Sequence, residues 1–163
     1  MMGARRQQRG FTLIELMITL AVAGIVLMAS VPPFVNMFTR IRVEGTGNEL
    51  SADLQFARTE AVRRRTIVSL ATTSGGAGYR ITMPDPVTSG AVIQLKGVDF
   101  ATGLRVTEGI VTVSYDAMRA MANESVLTLS DASDRAQLRV AVNAMGRVEM
   151  CSPGHTISNY PSC

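Results

Sequence analysis

The sequence predicts an α+β chain: a long N-terminal helix, apolar at its start and amphipathic further on, packed across an antiparallel β-sheet. Three observations carry this expectation. Phe11 to Val31 is a run of about twenty apolar residues interrupted by one charge, Glu15. Leu50, Leu54, Ala57 and Ala61 then recur at spacings of four, three and four, which places them on one face of a helix. From Thr66 onwards apolar and polar residues alternate, the period of half-buried strands.

Arg5, Arg6 and Arg9 precede Gly10, and the first ten residues contain no acid. A basic stub followed by an apolar run of this length reads as a membrane segment or an export signal. Glu15 is out of place in it, because a lone carboxylate in hydrocarbon is costly and requires a partner. An ordinary secretory signal would be cut near Ala21-Val22-Ala23, but Glu15 would interrupt its apolar core and the run continues past Ala23. A plain signal anchor leaves Glu15 without a role.

The formal charge of +3 resides in the stub. Without residues 1–10 the chain holds 13 basic against 13 acidic residues. The pI near 9.3 therefore describes the chain with its stub and gives no argument for a nucleic-acid surface. Arginines ahead of the apolar run favour a cytoplasmic N-terminus, and Arg40 and Arg42 beyond it weaken that bias. The remaining 153 residues suffice for one long helix and one globular domain.

Pro32-Pro33 is expected to end or kink the first helix, since neither residue donates a backbone hydrogen bond. Phe34 to Arg65 reads as a second helical stretch, weakened at Gly45 and Gly47. Its polar side carries Arg58, Glu60 and Arg63 to Arg65, with Glu60 and Arg64 as a favourable i,i+4 pair. The triple arginine reads as a solvated helix end that complements the dipole.

Expected strands are Thr66–Ala71, Tyr79–Met83, Ala91–Leu95, Ile110–Tyr115, Ser125–Ser130, Ala136–Val142 and Arg147–Met150. Ser74 to Gly78 and Pro84-Asp85-Pro86 are loop signals, the glycines being read as a flexible hairpin connection. Residues 84 to 109 show the least pattern. In the last hairpin, Leu138, Val140, Val148 and Met150 should share the buried face. That parity asks for a three-residue loop, Asn143 to Met145, with Gly146 at positive φ just after it. Arg139 would then oppose Glu149, and Ala141 would oppose Arg147, on the outer face.

Cys151 and Cys163 are the only cysteines. In an exported domain a disulfide is the default, and it would close the small loop CSPGHTISNYPSC. The rival arrangement is a zinc site of Cys151, His155 and Cys163 with Glu149, which lacks the usual CxxC spacing. No cofactor or metal is expected. Nor is an enzyme: the single histidine is in this tail, and no GxSxG, HExxH or phosphate-loop spacing is present.

The stretch RGFTLIELM, with Gly10 before Phe11 and a glutamate five residues after that glycine, resembles the signal of type IV prepilins. The resemblance implies cleavage after Gly10 by a prepilin peptidase and N-methylation of Phe11. It also implies an assembly role for Glu15, which meets the N-terminal amine of a neighbouring subunit. LSADLQFARTEAVRRR, Leu50 to Arg65, and AQLRVAVNAMGRVEMC, Ala136 to Cys151, are similar to the H-type pseudopilins and their FimT/FimU pilus relatives. The chain is thereby divided into a leader (1–10), a transmembrane and assembly helix (11–31), an amphipathic helix (32–65) and a β-rich periplasmic domain (66–163). Its implied setting is the inner membrane, crossed once with the N-terminus cytoplasmic, before entry into a pilus or pseudopilus. The implied partners are other pilins or pseudopilins, the prepilin peptidase, the assembly platform and membrane lipid.

The TLAV-type helix and the closed cysteine tail are more similar to the FimT/FimU proteins, which favours a type IV pilus minor pilin; a type II secretion pseudopilin is the alternative. Some pilus-type relatives bind DNA through a Gly-Arg-x-Arg element in the last hairpin. Here the element is Gly146-Arg147-Val148-Glu149, and the carboxylate in place of the second arginine makes DNA binding through Arg147 and Arg139 doubtful.

Overall fold

The computed structural model describes residues 11–163, apart from the side chains of residues 29–36. The chain divides into two compact units, Met1–Phe38 and Thr39–Cys163. One helix, α1 (Leu13–Arg64), contributes to both. The expected end at Pro32-Pro33 is not found, because both prolines lie within α1, as do Gly45 and Gly47. Two prolines remove two donors from a ladder of 52 residues, and helical turns carry the backbone on either side.

In the first unit every side chain from Phe11 to Met28 is exposed except at Gly24, which is half-buried. Leu13, Ile14, Leu16, Met17 and Ile18 point in different directions around the helix, and each is more than half exposed. A helix apolar on all sides suits burial in surroundings that its own chain does not supply. Among the described residues no helix is long and apolar enough to cross a membrane. Residues 29–31 of the predicted span lie outside the described side chains.

The second unit shows the helix packed on antiparallel sheet that the sequence predicts, with the strands divided between two sheets. Its strands are β1 (Val68–Thr72), β2 (Gly78–Pro84), β3 (Val92–Asp99), β4 (Leu104–Val106), β5 (Thr112–Tyr115), β6 (Ser125–Asp131), β7 (Gln137–Val142) and β8 (Val148–Cys151). One sheet has the order β3-β2-β1-β5, the other β4-β6-β7-β8. β4 is a strand the sequence pattern did not reveal; with three residues it is too short to show alternation. β3 runs past its expected end because Leu95 is a bulge: Ile81 pairs with Lys96 and Thr82 with Gln94. The extra residue reverses the alternation there. Ser74–Gly76 is a 3-10 turn against Val106 of β4 in place of a flexible connection.

The core gathers Leu50, Leu54, Ala57 and Ala61 from α1 with Leu70, Ile81 and Val113 from one sheet and Leu129, Leu138 and Val140 from the other, all fully buried. Each such leucine or valine contributes about 1.5–3 kcal/mol by leaving water. Gly47 is what lets α1 approach: a Cβ there would collide with Leu138 Cδ2 and meet Leu129 Cδ1 at 3.6 Å. Gly45, half a turn away, faces open space. Gly47→Val should therefore destabilise the domain by about 1–3 kcal/mol through overpacking. Gly45→Ala should stabilise it by roughly 0.5–1 kcal/mol through helix propensity. Denaturant titration of the two variants checks the contrast.

Candidate assembly site and the groups around it

The first turn of α1 is built by Thr12 and Glu15. Thr12 precedes the helix and its Oγ1 accepts a hydrogen bond from Glu15 N at 3.3 Å, while its carbonyl accepts from Leu16 N at 3.2 Å. This is N-cap geometry, with Glu15 in the third helical position, where the helix dipole favours a negative charge. The Ser/Thr-x-x-Glu spacing that signals it, Thr12 to Glu15, was present in the sequence and is a local reason for a carboxylate here. Phe11 is 83% exposed immediately before the cap. Gly10 lies outside the described residues.

At the other end of α1, Glu60 is buried and both Arg63 and Arg64 bond it: Arg63 Nη2 and Nε donate at 2.7 and 2.8 Å, and Arg64 Nε reaches Oε2. Hydrogen bonds from Arg63 and then Arg64 hold its pKa at about 2, below the usual carboxylate range. The expected i,i+4 pair is present, but Glu60 lies on the core side of the polar face. Sequence reasoning missed a second cluster. Tyr79 Oη, fully buried on β2, donates to Asp53 Oδ2 of α1 at 2.6 Å, and Lys96 Nζ of β3 donates to Asp53 Oδ1 at 2.8 Å. Burial, and then the bond to Asp53, pushes the tyrosine well above its ordinary range. The bond to Asp53 likewise raises Lys96. Asp53 beside Leu54 was readable as a polar residue facing the core; its partners come from strands more than 25 residues away and leave no local signal.

Cys151 and Cys163 form a disulfide. Neither sulfur is then a thiolate, so the zinc arrangement with His155 and Glu149 is not available in this form. The enclosed loop packs inward. Ser152 Oγ donates to Gln137 O at 3.1 Å and accepts from Ile157 N at 3.0 Å, and Ile157 is buried in the core. Tyr160 Oη donates to Asn48 Oδ1 of α1 at 3.0 Å.

The last hairpin departs from its expected register. The three-residue loop is Ala144 to Gly146, one residue further on, closed by Gly146 N to Asn143 O at 2.8 Å with Gly146 at φ 71°. Arg139 therefore opposes Cys151, Ala141 opposes Glu149 and Val142 opposes Val148. A slip of two residues preserves the faces, which is why parity alone could not detect it. Arg147 is exposed, with Nε 3.8 Å from Glu149 Oε1. Arg139 is half-buried, and its Nε has no hydrogen-bond partner among the described residues. The two arginines do not meet: four residues of strand, roughly 13 Å, separate the position opposite Arg147 from Arg139.

Comparison with known proteins gives a consistent set of relatives. The family model described as type II transport protein GspH matches residues 46–146, and the prokaryotic N-terminal methylation motif matches residues 5–31. The crystal structure of the type IV minor pilin FimU of Pseudomonas aeruginosa is similar with a TM-score of 0.56 at 21% identity, over 70% of this chain and 94% of that one. The minor pseudopilin EpsH from the type 2 secretion system of Vibrio cholerae is similar with a TM-score of 0.58 at 10% identity, over 69% and 98%. A search of the curated proteins finds no match.

Two stability measurements test the site's supports. Cys163→Ser should lower stability by about 3 kcal/mol, the entropy of opening a loop of this size, visible as a fall in the unfolding midpoint without reductant. The contribution of Glu60 is complete above about pH 4.5, its ordinary value, and is lost as pH falls through about 2. Glu60→Gln should therefore be less stable at neutral pH and lose less stability than the natural chain between pH 4.5 and 2, as followed by denaturant titration at each pH.

Proposed function

The chain belongs to the GspH family of type II transport proteins, and we propose that it works as a minor pilin-like subunit, stored in the inner membrane and incorporated into a type IV pilus. The observation that carries this reading is the apolar start of α1. Every described side chain from Phe11 to Met28 lacks cover from its own chain, in the segment that matches the methylation motif. Cleavage after Gly10 would leave Phe11 as a methylated amine one turn from Glu15. A neighbouring subunit's amine would give that carboxylate its partner, since burying a paired charge costs far less than burying a lone one. The membrane is crossed once, with the N-terminus cytoplasmic and the sheets periplasmic. The partners on this reading are other pilins, the prepilin peptidase, the inner-membrane platform and lipid, and the place in the filament is its tip or priming complex.

The matched family's own description supports the second reading, a type II secretion pseudopilin acting in protein export. FimU and EpsH are each similar enough to carry the fold and too distant to separate the two systems. DNA binding is a weaker third reading, because Glu149 faces Arg147 and Arg139 is half-buried.

Glu15→Val should insert in the membrane as the natural chain does and be depleted from sheared filaments; normal incorporation would end the charge-pairing idea. Deletion of the gene, scored in parallel for twitching, exoprotein secretion and transformation, should abolish twitching alone. Loss of secretion with twitching intact would move the assignment to the pseudopilus. Arg147→Ala protein should bind duplex DNA as the natural protein does, and a marked loss would revive the third reading.

A further inference from the structure

The chain holds ten methionines and no tryptophan, and the assembly reading uses none of the five methionines in the second unit. Two of them, Met83 and Met150, lie in or against the core. The other three are at the surface: Met118 is 91% exposed, Met145 68% and Met121 39%. They sit on two loops that are bonded to each other. Met118 and Met121 belong to the β5–β6 loop, and Met145 to the β7–β8 loop. Ala122 N donates to Ala144 O at 3.1 Å, and Gly146 packs on Ala120 O so closely that a Cβ there would stand 2.5 Å from it. Arg58 Nη2 of α1 donates to Met145 O at 3.2 Å.

The β5–β6 loop is also closed on itself. Asp116 N donates to Met121 O at 2.9 Å, and the Asp116 carboxylate accepts from Met118 N at 2.7 Å and Arg119 N at 3.0 Å. Ala120 within it has φ 53°, a left-handed conformation that a side chain disfavours, so the loop depends on these fastenings. Met121 lines an open cleft with Ile67, Ser114, Asp116, Ala122 and Asn123. Tyr115 beside it turns its ring into the core. The side-chain donors of the cleft are engaged: Asn123 Nδ2 donates to Thr112 O at 2.8 Å and Ser125 Oγ at 3.0 Å, and Ser114 Oγ shares a bond with Ser69 Oγ at 2.9 Å. The ionised Asp116 offers acceptors only. A thioether asks for no donor, whereas a sulfoxide oxygen is a polar acceptor that these side chains leave unmet.

We propose that Met121 is an oxidation site for peroxide whose sulfoxide unfastens the β5–β6 loop, with Met118 and Met145 as outlying thioethers that meet the oxidant first. The O–O bond of hydrogen peroxide breaks and an S–O bond forms; sulfur loses two electrons, and the second oxygen leaves with both hydrogens as water. Oxygen transfer needs a sulfur lone pair open to solution. The order therefore follows exposure, from Met118 through Met145 to Met121, with Met83 shielded at 7%. A sulfoxide at Met118 or Met145 stays in water. At Met121 it must swing out of the cleft to reach water, which pulls on the Asp116 N–Met121 O and Ala122 N–Ala144 O bonds to either side.

The test treats the full chain in detergent micelles with hydrogen peroxide. Peptide mass mapping reads sulfoxide at each methionine, and amide hydrogen exchange is followed at Asp116 and Ala122. Exchange there should hold steady while only Met118 and Met145 are oxidised. It should rise about tenfold once Met121 is, the effect of one polar group placed where it cannot be bonded. Met121→Leu, which keeps the apolar volume, should exchange as the natural chain does before peroxide and show no rise after it. Oxidation of Met121 ahead of Met118 and Met145 overturns the proposal, as does a rise that persists in Met121→Leu. So does Met121 sulfoxide with both amides still protected, a result read on the natural chain and independent of whether the leucine variant folds.

Discussion

The structure depends on one constraint: a single 52-residue helix has to satisfy two different surroundings. Its later turns are covered by their own chain, with Leu50, Leu54, Ala57 and Ala61 fully buried beneath two sheets. Its first turns are exposed, with no cover among the described residues. The same backbone element is thus a core helix over one stretch and an uncompensated apolar cylinder over another. What the protein does follows from resolving that mismatch, because the exposed stretch is stable only inside another medium or another set of helices.

The domain secures the covered half by means other than apolar area. Gly47 brings α1 against Leu138, so that contact is made by the absence of a side chain. Asp53 then ties the helix to the other sheet through Tyr79, buried with it in the low-dielectric interior, and through Lys96 at the partly exposed rim. Such a network is favourable only when complete, since any unpaired member would carry its full desolvation cost. It fixes the helix in rotation and in register, which leucines alone would leave looser.

The legible parts of the sequence were those written in local periodicity or at fixed offsets. The helical stripe, the apolar run with its single carboxylate, and seven of the strand positions could be read because each spans several residues of one pattern. β4 could not, having three residues, and the extent of β3 was hidden by the Leu95 bulge, which reverses the alternation midway. The β7–β8 register slipped by two because the faces are identical either way, and only the position of Gly146 inside the loop decides it. Asp53 with Tyr79, Gly47 with Leu138, and the β5–β6 loop bonded to the β7–β8 loop are long-range encounters that no window of sequence contains. Near Glu15 the difficulty was of another kind. Two explanations, helix capping and intersubunit pairing, ask for the same residue at the same place.

The tail beyond β8 bears on timing. A ribosome releases the chain from its first residue to its last, so α1 exists long before Ile157 is made. Yet Ile157 occupies the core, Tyr160 reaches back to Asn48, and Cys163 is bonded to Cys151. The core of the second unit therefore has an open place until Ile157 has been made. A nascent or truncated chain would carry its helix and most of its strands without the piece that closes them. The earliest and the latest turns of this domain are thereby made to wait for one another.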